Sequence, residues 1–318
     1  MHGARLERHQ KMDQSMATRM RLGLVHFMAW PELGSGRGPW AETVELIAKH
    51  PSFNAIEITH IEDPAERERV RDICRLAGLA VGFGAHPIIL GQGLNLNALD
   101  EGKRAAAVSR MSELIDEAVF MEAESFVVLS GKDPGPKERK EAKAALAASL
   151  GELCAYSAAR QGPKVVAEAF DCDVDKCCLL GPAPLAAEVA QKVASQHDNF
   201  GLLVDLSHIP LLGESPRQAL EPVIDWLIGV HLGNAVLTEG MPAYGDNHPA
   251  FGTPGSVNGA AETAEFLDTL FDLGFLGQGK RPMVSFELKP LPGQDPELVL
   301  AGALRVLAEA WGRLRSPA

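Results

Sequence analysis

Eight short apolar runs recur along the chain, at 22–27, 55–58, 79–86, 125–131, 164–170, 200–206, 227–232 and 282–288. Between and after them lie stretches with helical spacing, at 40–50, 64–76, 101–120, 137–159, 183–195, 215–225, 258–273 and 296–314. A run without polar interruption, such as Phe200 to Val204, suits a strand buried on both faces, the condition of a parallel sheet. Parallel neighbours need a crossover, and a helix supplies it. Eight such units close on themselves, so the sequence predicts an α/β chain with (β/α)8 TIM-barrel architecture. A doubly wound open sheet is the rival, and it would carry a phosphate-binding glycine turn after an early strand. The nearest glycine cluster, GSGRG at 34–38, has neither a P-loop lysine nor a GxGxxG frame.

In such barrels the chemistry sits where strands end. Asp205 ends the sixth run and His208 follows three positions later, where the chain must turn. A buried, unpaired carboxylate is costly, so Asp205 needs a cation, a donor network or a metal beside it. VVAEAF places Glu168 at the end of the fifth run, IGVHLGN places His231 at the end of the seventh, and MVSFELKP places Glu287 at the end of the eighth. Taken singly, each has a bland explanation as a helix cap, an ion-pair partner or a core histidine. Four on consecutive strands require that explanation four times, and the economical expectation is one divalent-metal site. Carboxylate oxygens with an imidazole suit manganese, magnesium, cobalt, zinc or iron.

Other polar residues are candidates with duller explanations beside them. His86, Asp246 and His248 lie in long loops, as substrate or supporting groups or as loop hydrogen-bonders. Glu57 and His60 are candidates at the end of the second run, at the site or in a local salt bridge; His26 and Trp30 line an apolar wall or anchor a loop.

Charge and cysteine content narrow the partners. Acidic residues number 42 against 30 lysines and arginines, a formal net charge of −12. That balance argues against nucleic acid or an anionic membrane surface. Five cysteines without paired short spacings fit a reducing compartment, and the expected location is cytoplasmic. Residues 1–20 lack an apolar segment and read as a poorly ordered extension, and 21–318 as a single domain.

Glu168, Asp205 with His208, His231 and Glu287 together resemble the xylose isomerase-like TIM-barrel superfamily, especially its D-tagatose 3-epimerase-like branch, over roughly residues 21–314. The resemblance implies one divalent ion, manganese first and magnesium, cobalt or zinc otherwise, held by Glu168, Asp205, His231 and Glu287. It implies that His208 contacts a sugar oxygen and that Glu168 and Glu287 act as acid and base beside a metal-bound carbonyl, through an enediolate. The expected activity is therefore sugar isomerisation or epimerisation, in a homo-oligomer.

The epimerases follow the seventh-strand histidine with a substrate-gripping arginine; here the chain reads HLGNAVLTEG, and Asn234 is the substitute. Endonuclease IV is similar at His86 before LNLNA and at Asp246 and His248 in GDNHPAFGTPG, but it needs a histidine ending strand four, where this chain has Ser130 and Gly131. The same loop resembles the large subunit of C-glycoside deglycosidases, which implies a metal-dependent lyase that cleaves 3-oxo-glycosides by β-elimination, working with a smaller subunit. A non-catalytic sugar-binding barrel is the remaining expectation.

Overall fold

The computed structural model describes residues 16–277 and 279–315. Most of the expected N-terminal extension, residues 1–15, lies outside the described residues, whereas Met16 and Met20 at its end are buried in the core. The strands are β1 Arg21–Leu24, β2 Ala55–Ile58, β3 Ala80–Gly84 and β4 Ser125–Leu129, then β5 Lys164–Glu168, β6 Phe200–Asp205, β7 Leu227–Gly233 and β8 Met283–Glu287. They form one sheet of eight strands in the order β1-β8-β7-β6-β5-β4-β3-β2, each pairing parallel. A parallel bridge between Val25 and Glu57 and a 2.8 Å hydrogen bond from Asn54 N–H to the Leu22 carbonyl join β1 to β2. The sheet is a (β/α)8 TIM barrel.

The helices that follow the strands are α1 Trp40–Lys49, α2 Pro64–Ala77, α3 Glu101–Phe120, α4 Arg139–Ala158, α5 Ala183–Ala194, α6 Pro216–Leu220, α7 Ala260–Asp272 and α8 Pro296–Arg313. Their ends follow local chemistry. The Asp63 carboxylate accepts the Ala65 N–H, Pro64 starts α2 where its missing N–H costs nothing, and Gly78 ends it in the left-handed region. Ser215 and Gln218 form a capping box on α6.

Three spans differ from expectation. The first strand stops at Leu24 and His26–Ala29 is a short helix, which swings His26 out of the strand and into the core. His86, expected to end the third strand, instead opens the helix His86–Gln92, with Pro87 in its first turn. The sixth helix is cut to Pro216–Leu220 and continues as the 3-10 segment Glu221–Trp226, where Pro222 removes a donor.

Two layers of packing result. Phe83, Phe126, Phe266, Phe286 and Trp40 are fully buried in the main core. Strand register divides β-strand side chains between that core and the barrel interior, because partners in a parallel ladder face the same way and faces alternate along each strand. The interior holds a small apolar cluster, Val127, Val166 and Leu203, with Ile228 packed against it. Above it, at the strand C-terminal ends, every inward position is polar or glycine on β5 to β8: Glu168, Asp205, His231, Gly233 and Glu287.

Candidate metal centre

Register brings the four expected ligands together. Glu168 pairs with Leu203, two residues below Asp205; Asp205 pairs directly with His231; His231 pairs with Ser285, two residues below Glu287. All four therefore face inward and rise around the barrel. Their ligand atoms lie within 4.8 Å of one another. A side chain at position 233 would spoil this: an added Cβ would stand 2.8 Å from Asp205 Oδ1 and 3.0 Å from His248 Nδ1, so glycine is required by close approach.

Their proximity is not hydrogen bonding. His231 Nδ1 lies 2.5 Å from Glu287 Oε2, 3.6 Å from Glu168 Oε1 and 3.8 Å from Asp205 Oδ2. Yet His231 Nδ1, Glu287 Oε2, both Glu168 oxygens and Asp205 Oδ2 are buried without a hydrogen-bond partner among the described residues. Each of these residues that has a second partner uses its other atom: Asp205 Oδ1 accepts the Ser207 N–H at 2.5 Å, and His231 Nε2 meets Glu57 at 3.1 Å. Buried polar atoms left unpaired cost free energy. Atoms that crowd without bonding one another, and that come from three carboxylates and an imidazole, are the donor set of a divalent cation. The residues fit such an ion.

Electrostatics agree. Burial pushes Asp205 up to about 6, against the pull of the surrounding histidines. Burial also opposes ionisation of Glu168 and Glu287, but neighbouring histidines outweigh it and hold both below the usual carboxylate range. Burial would lower His231, yet Glu57, Glu287 and Glu168 raise it well above its ordinary value.

A second cluster adjoins the first. Asp246 Oδ1 lies 3.0 Å from His208 Nε2 and 2.7 Å from His248 Nε2, and His208 Nδ1 meets the Ala169 carbonyl at 2.8 Å. Burial would lower both imidazoles, but Asp246 outweighs it and raises His208 to about 10 and His248 to about 9. His208 thus has both ring nitrogens engaged by protein groups. His248 keeps Nδ1 without a partner, and its φ of 47° places it in the left-handed region that side chains disfavour. His86 stands at the rim, Nε2 3.0 Å from Glu168 Oε2.

Asn234 does not take the place of an arginine. It is fully buried, its Oδ1 accepts the N–H groups of Ala235 and Asn258, and its Nδ2 donates to the Ala250 carbonyl, so it braces the loop of residues 234–259. Ser130 likewise turns from the site: its Oγ accepts the Leu180 N–H at 2.9 Å, and β4 supplies no histidine there. His60 pairs with Glu117 at 2.6 Å rather than with Glu57, which points inward.

Sequence reasoning passed over Lys176. The buried Asp171 carboxylate accepts the N–H groups of Val174, Asp175 and Lys176 at 2.7–2.8 Å, shaping the loop that sets Lys176 Nζ 3.3 Å from Asp246 Oδ2. The run DCDVDK directly after the Glu168 strand was its only signal.

Comparison with known proteins bears on the fold. The family described as the xylose isomerase-like TIM barrel matches residues 41–310. Among curated proteins the sequence finds no match. Among solved structures it is similar to a D-tagatose 3-epimerase-like protein at 20% identity and TM-score 0.67, covering 91% of this chain and 97% of that one. It is similar to a D-psicose 3-epimerase from Clostridium cellulolyticum H10 at 16% identity and TM-score 0.61, covering 93% of each chain. It is similar to a 3-keto-D-glucoside 4-epimerase from E. coli at 15% identity and TM-score 0.64, covering 91% of this chain and 99% of that one. With its eight parallel strands and a match over most of its length, this chain belongs to the xylose isomerase-like TIM-barrel family.

Proposed function

We propose that this chain is a divalent-metal-dependent enzyme of the sugar isomerase and epimerase kind, which removes the proton beside a sugar carbonyl. The observation that carries it is the set of buried, unpartnered ligand atoms of Glu168, Asp205, His231 and Glu287 converging within 4.8 Å. These four residues would hold the ion, and three hard oxygens with one imidazole suit manganese, with magnesium, cobalt and zinc next. When bound, the ion would act as a Lewis acid on a carbonyl oxygen and acidify the neighbouring C–H.

The side chains do the rest. Each glutamate turns one oxygen toward His231 Nδ1 and the other toward a histidine: Glu168 Oε2 lies 3.0 Å from His86 Nε2, and Glu287 Oε1 lies 3.9 Å from His248 Nε2. Glu168 on β5 and Glu287 on β8 stand on walls separated by β6 and β7. One carboxylate takes the proton from its side and the other returns one from its own. Return to the opposite face of the same carbon epimerises, and return to the neighbouring carbon isomerises. Burial of Glu168, Glu287, His208 and His248 excludes bulk water from that exchange. A fold neighbour's name, 3-keto-D-glucoside 4-epimerase, describes a reaction at a carbon next to a carbonyl, in keeping with this chemistry.

A second reading has one specific observation behind it. His248, held by Asp246 on the Glu287 side, would protonate a leaving group, so the same abstraction on a 3-oxo-glycoside would expel the aglycone, with a smaller subunit completing the pocket. The test is incubation of the metal-loaded protein in deuterium oxide with a free ketose and, separately, with a 3-oxo-C-glycoside. The expected result is deuterium beside the carbonyl with epimer or isomer formed, abolished by Glu168→Gln. Aglycone release without epimer selects the lyase, and a ketose without deuterium together with a glycoside that releases no aglycone contradicts both.

A further inference from the structure

We propose that Glu57, on the wall of the barrel opposite the metal ligands, is the residue that fixes His231 for metal binding; this rests on the metal centre proposed above. Glu57 belongs to β2, 174 residues before His231, and its two oxygens lie 3.1 and 3.2 Å from His231 Nε2. Among the described residues its carboxylate has no other hydrogen-bond or ion-pair partner, and it is 4% exposed. The only hydrogen His231 can offer a carboxylate there is on Nε2. Accepting it leaves Nδ1 with a lone pair, aimed at Glu168, Asp205 and Glu287. A carboxylate behind a ligating histidine sets both tautomer and ring orientation.

The barrel is shaped around this contact. Gly82, the register partner of Glu57 on β3, has no side chain, and a Cβ there would meet Glu57 Cγ at 2.8 Å. Below Glu57, toward the strand N-terminal ends, lies a cavity of about 220 Å³ lined by Arg21, Ser125 and Lys164 and by the apolar Val127, Val166 and Leu203, and among the described residues no other side chain from that side pairs with the carboxylate. An acid whose purpose was packing would not need a glycine to clear its path to an imidazole nitrogen.

The test compares Glu57→Gln, Glu57→Asp and Glu57→Leu by manganese affinity in chelator competition and by melting of the metal-free protein. Glutamine can accept the same N–H through Oε1 and is expected to keep the dissociation constant within about threefold. Leucine fills the space without accepting, aspartate keeps the charge without the reach, and both are expected to weaken manganese binding about 10- to 100-fold. The metal-free leucine variant is expected to melt no lower than wild type, because an acid has been removed from a site crowded with acids. If leucine does not fold, aspartate carries the comparison. Wild-type affinity in the aspartate or leucine variant, or a glutamine variant as weak as either, overturns the inference alone. A wild-type protein that binds no manganese overturns the centre first, and this inference with it.

Discussion

His26 and His231 are both buried, and their surroundings push them in opposite directions. His26 stacks between Trp30 and Trp40 at centroid distances of 4.9 and 5.0 Å, with only the Thr43 hydroxyl at Nε2, and burial lowers it to about 3. Its neutral form is therefore the folded form. Since the folded value lies below the ordinary 6.5, its stabilising effect is complete above that pH and is lost as pH falls toward 3, at up to about 1.4 kcal/mol per unit. Urea unfolding of the metal-free protein at pH 7.0 and 5.5 should show His26→Phe losing about 1 kcal/mol less than wild type over that interval. Parallel losses would contradict the assignment. The sequence named His26 and Trp30 as a pair but not their surroundings, because Trp40 joins them only after the chain turns into a short helix at His26. Glu57 was a candidate whose partner lies 174 residues away, a distance no local pattern can report.

Strand ends and loops differ in how much of them a sequence discloses. The four expected ligands were readable because each ends an apolar run, and inward direction then follows from alternation along β5 to β8. The loops were not readable, since their shapes rest on single polar side chains: Asp171 gathers backbone N–H groups before Lys176, and Asn234 ties Ala235, Ala250 and Asn258 together. Asn234 was expected at the substrate, and its hydrogen bonds within the loop left no mark in the sequence. At the junction of β7 and that loop, Gly233→Ala would put a methyl 2.8 Å from Asp205 Oδ1 and 2.9 Å from Ser207 Cβ. The expected outcome is a loss of about 1–3 kcal/mol in chemical denaturation, together with weaker manganese binding in chelator competition. Unchanged stability and affinity would show that the strand end yields more easily than its packing indicates.

Closure of the whole barrel is what turns scattered acids into a centre. Eight strands in register carry Glu57, Glu168, Asp205, His231 and Glu287 from distant parts of the chain into one interior, over a small apolar plug of Val127, Val166 and Leu203. No helix among the described residues is long and apolar enough to cross a membrane. A ligand bound only by the folded state stabilises it by about 2.7 kcal/mol at a hundred times its dissociation constant, so manganese should raise the melting temperature and chelation should reverse the rise. The most direct measurement is metal content by plasma mass spectrometry after manganese loading and desalting, in wild type and in the near-isosteric Asp205→Asn. The account predicts one ion per wild-type chain and a large loss in the variant. Wild type without bound metal, or a variant that keeps the same content, would contradict it.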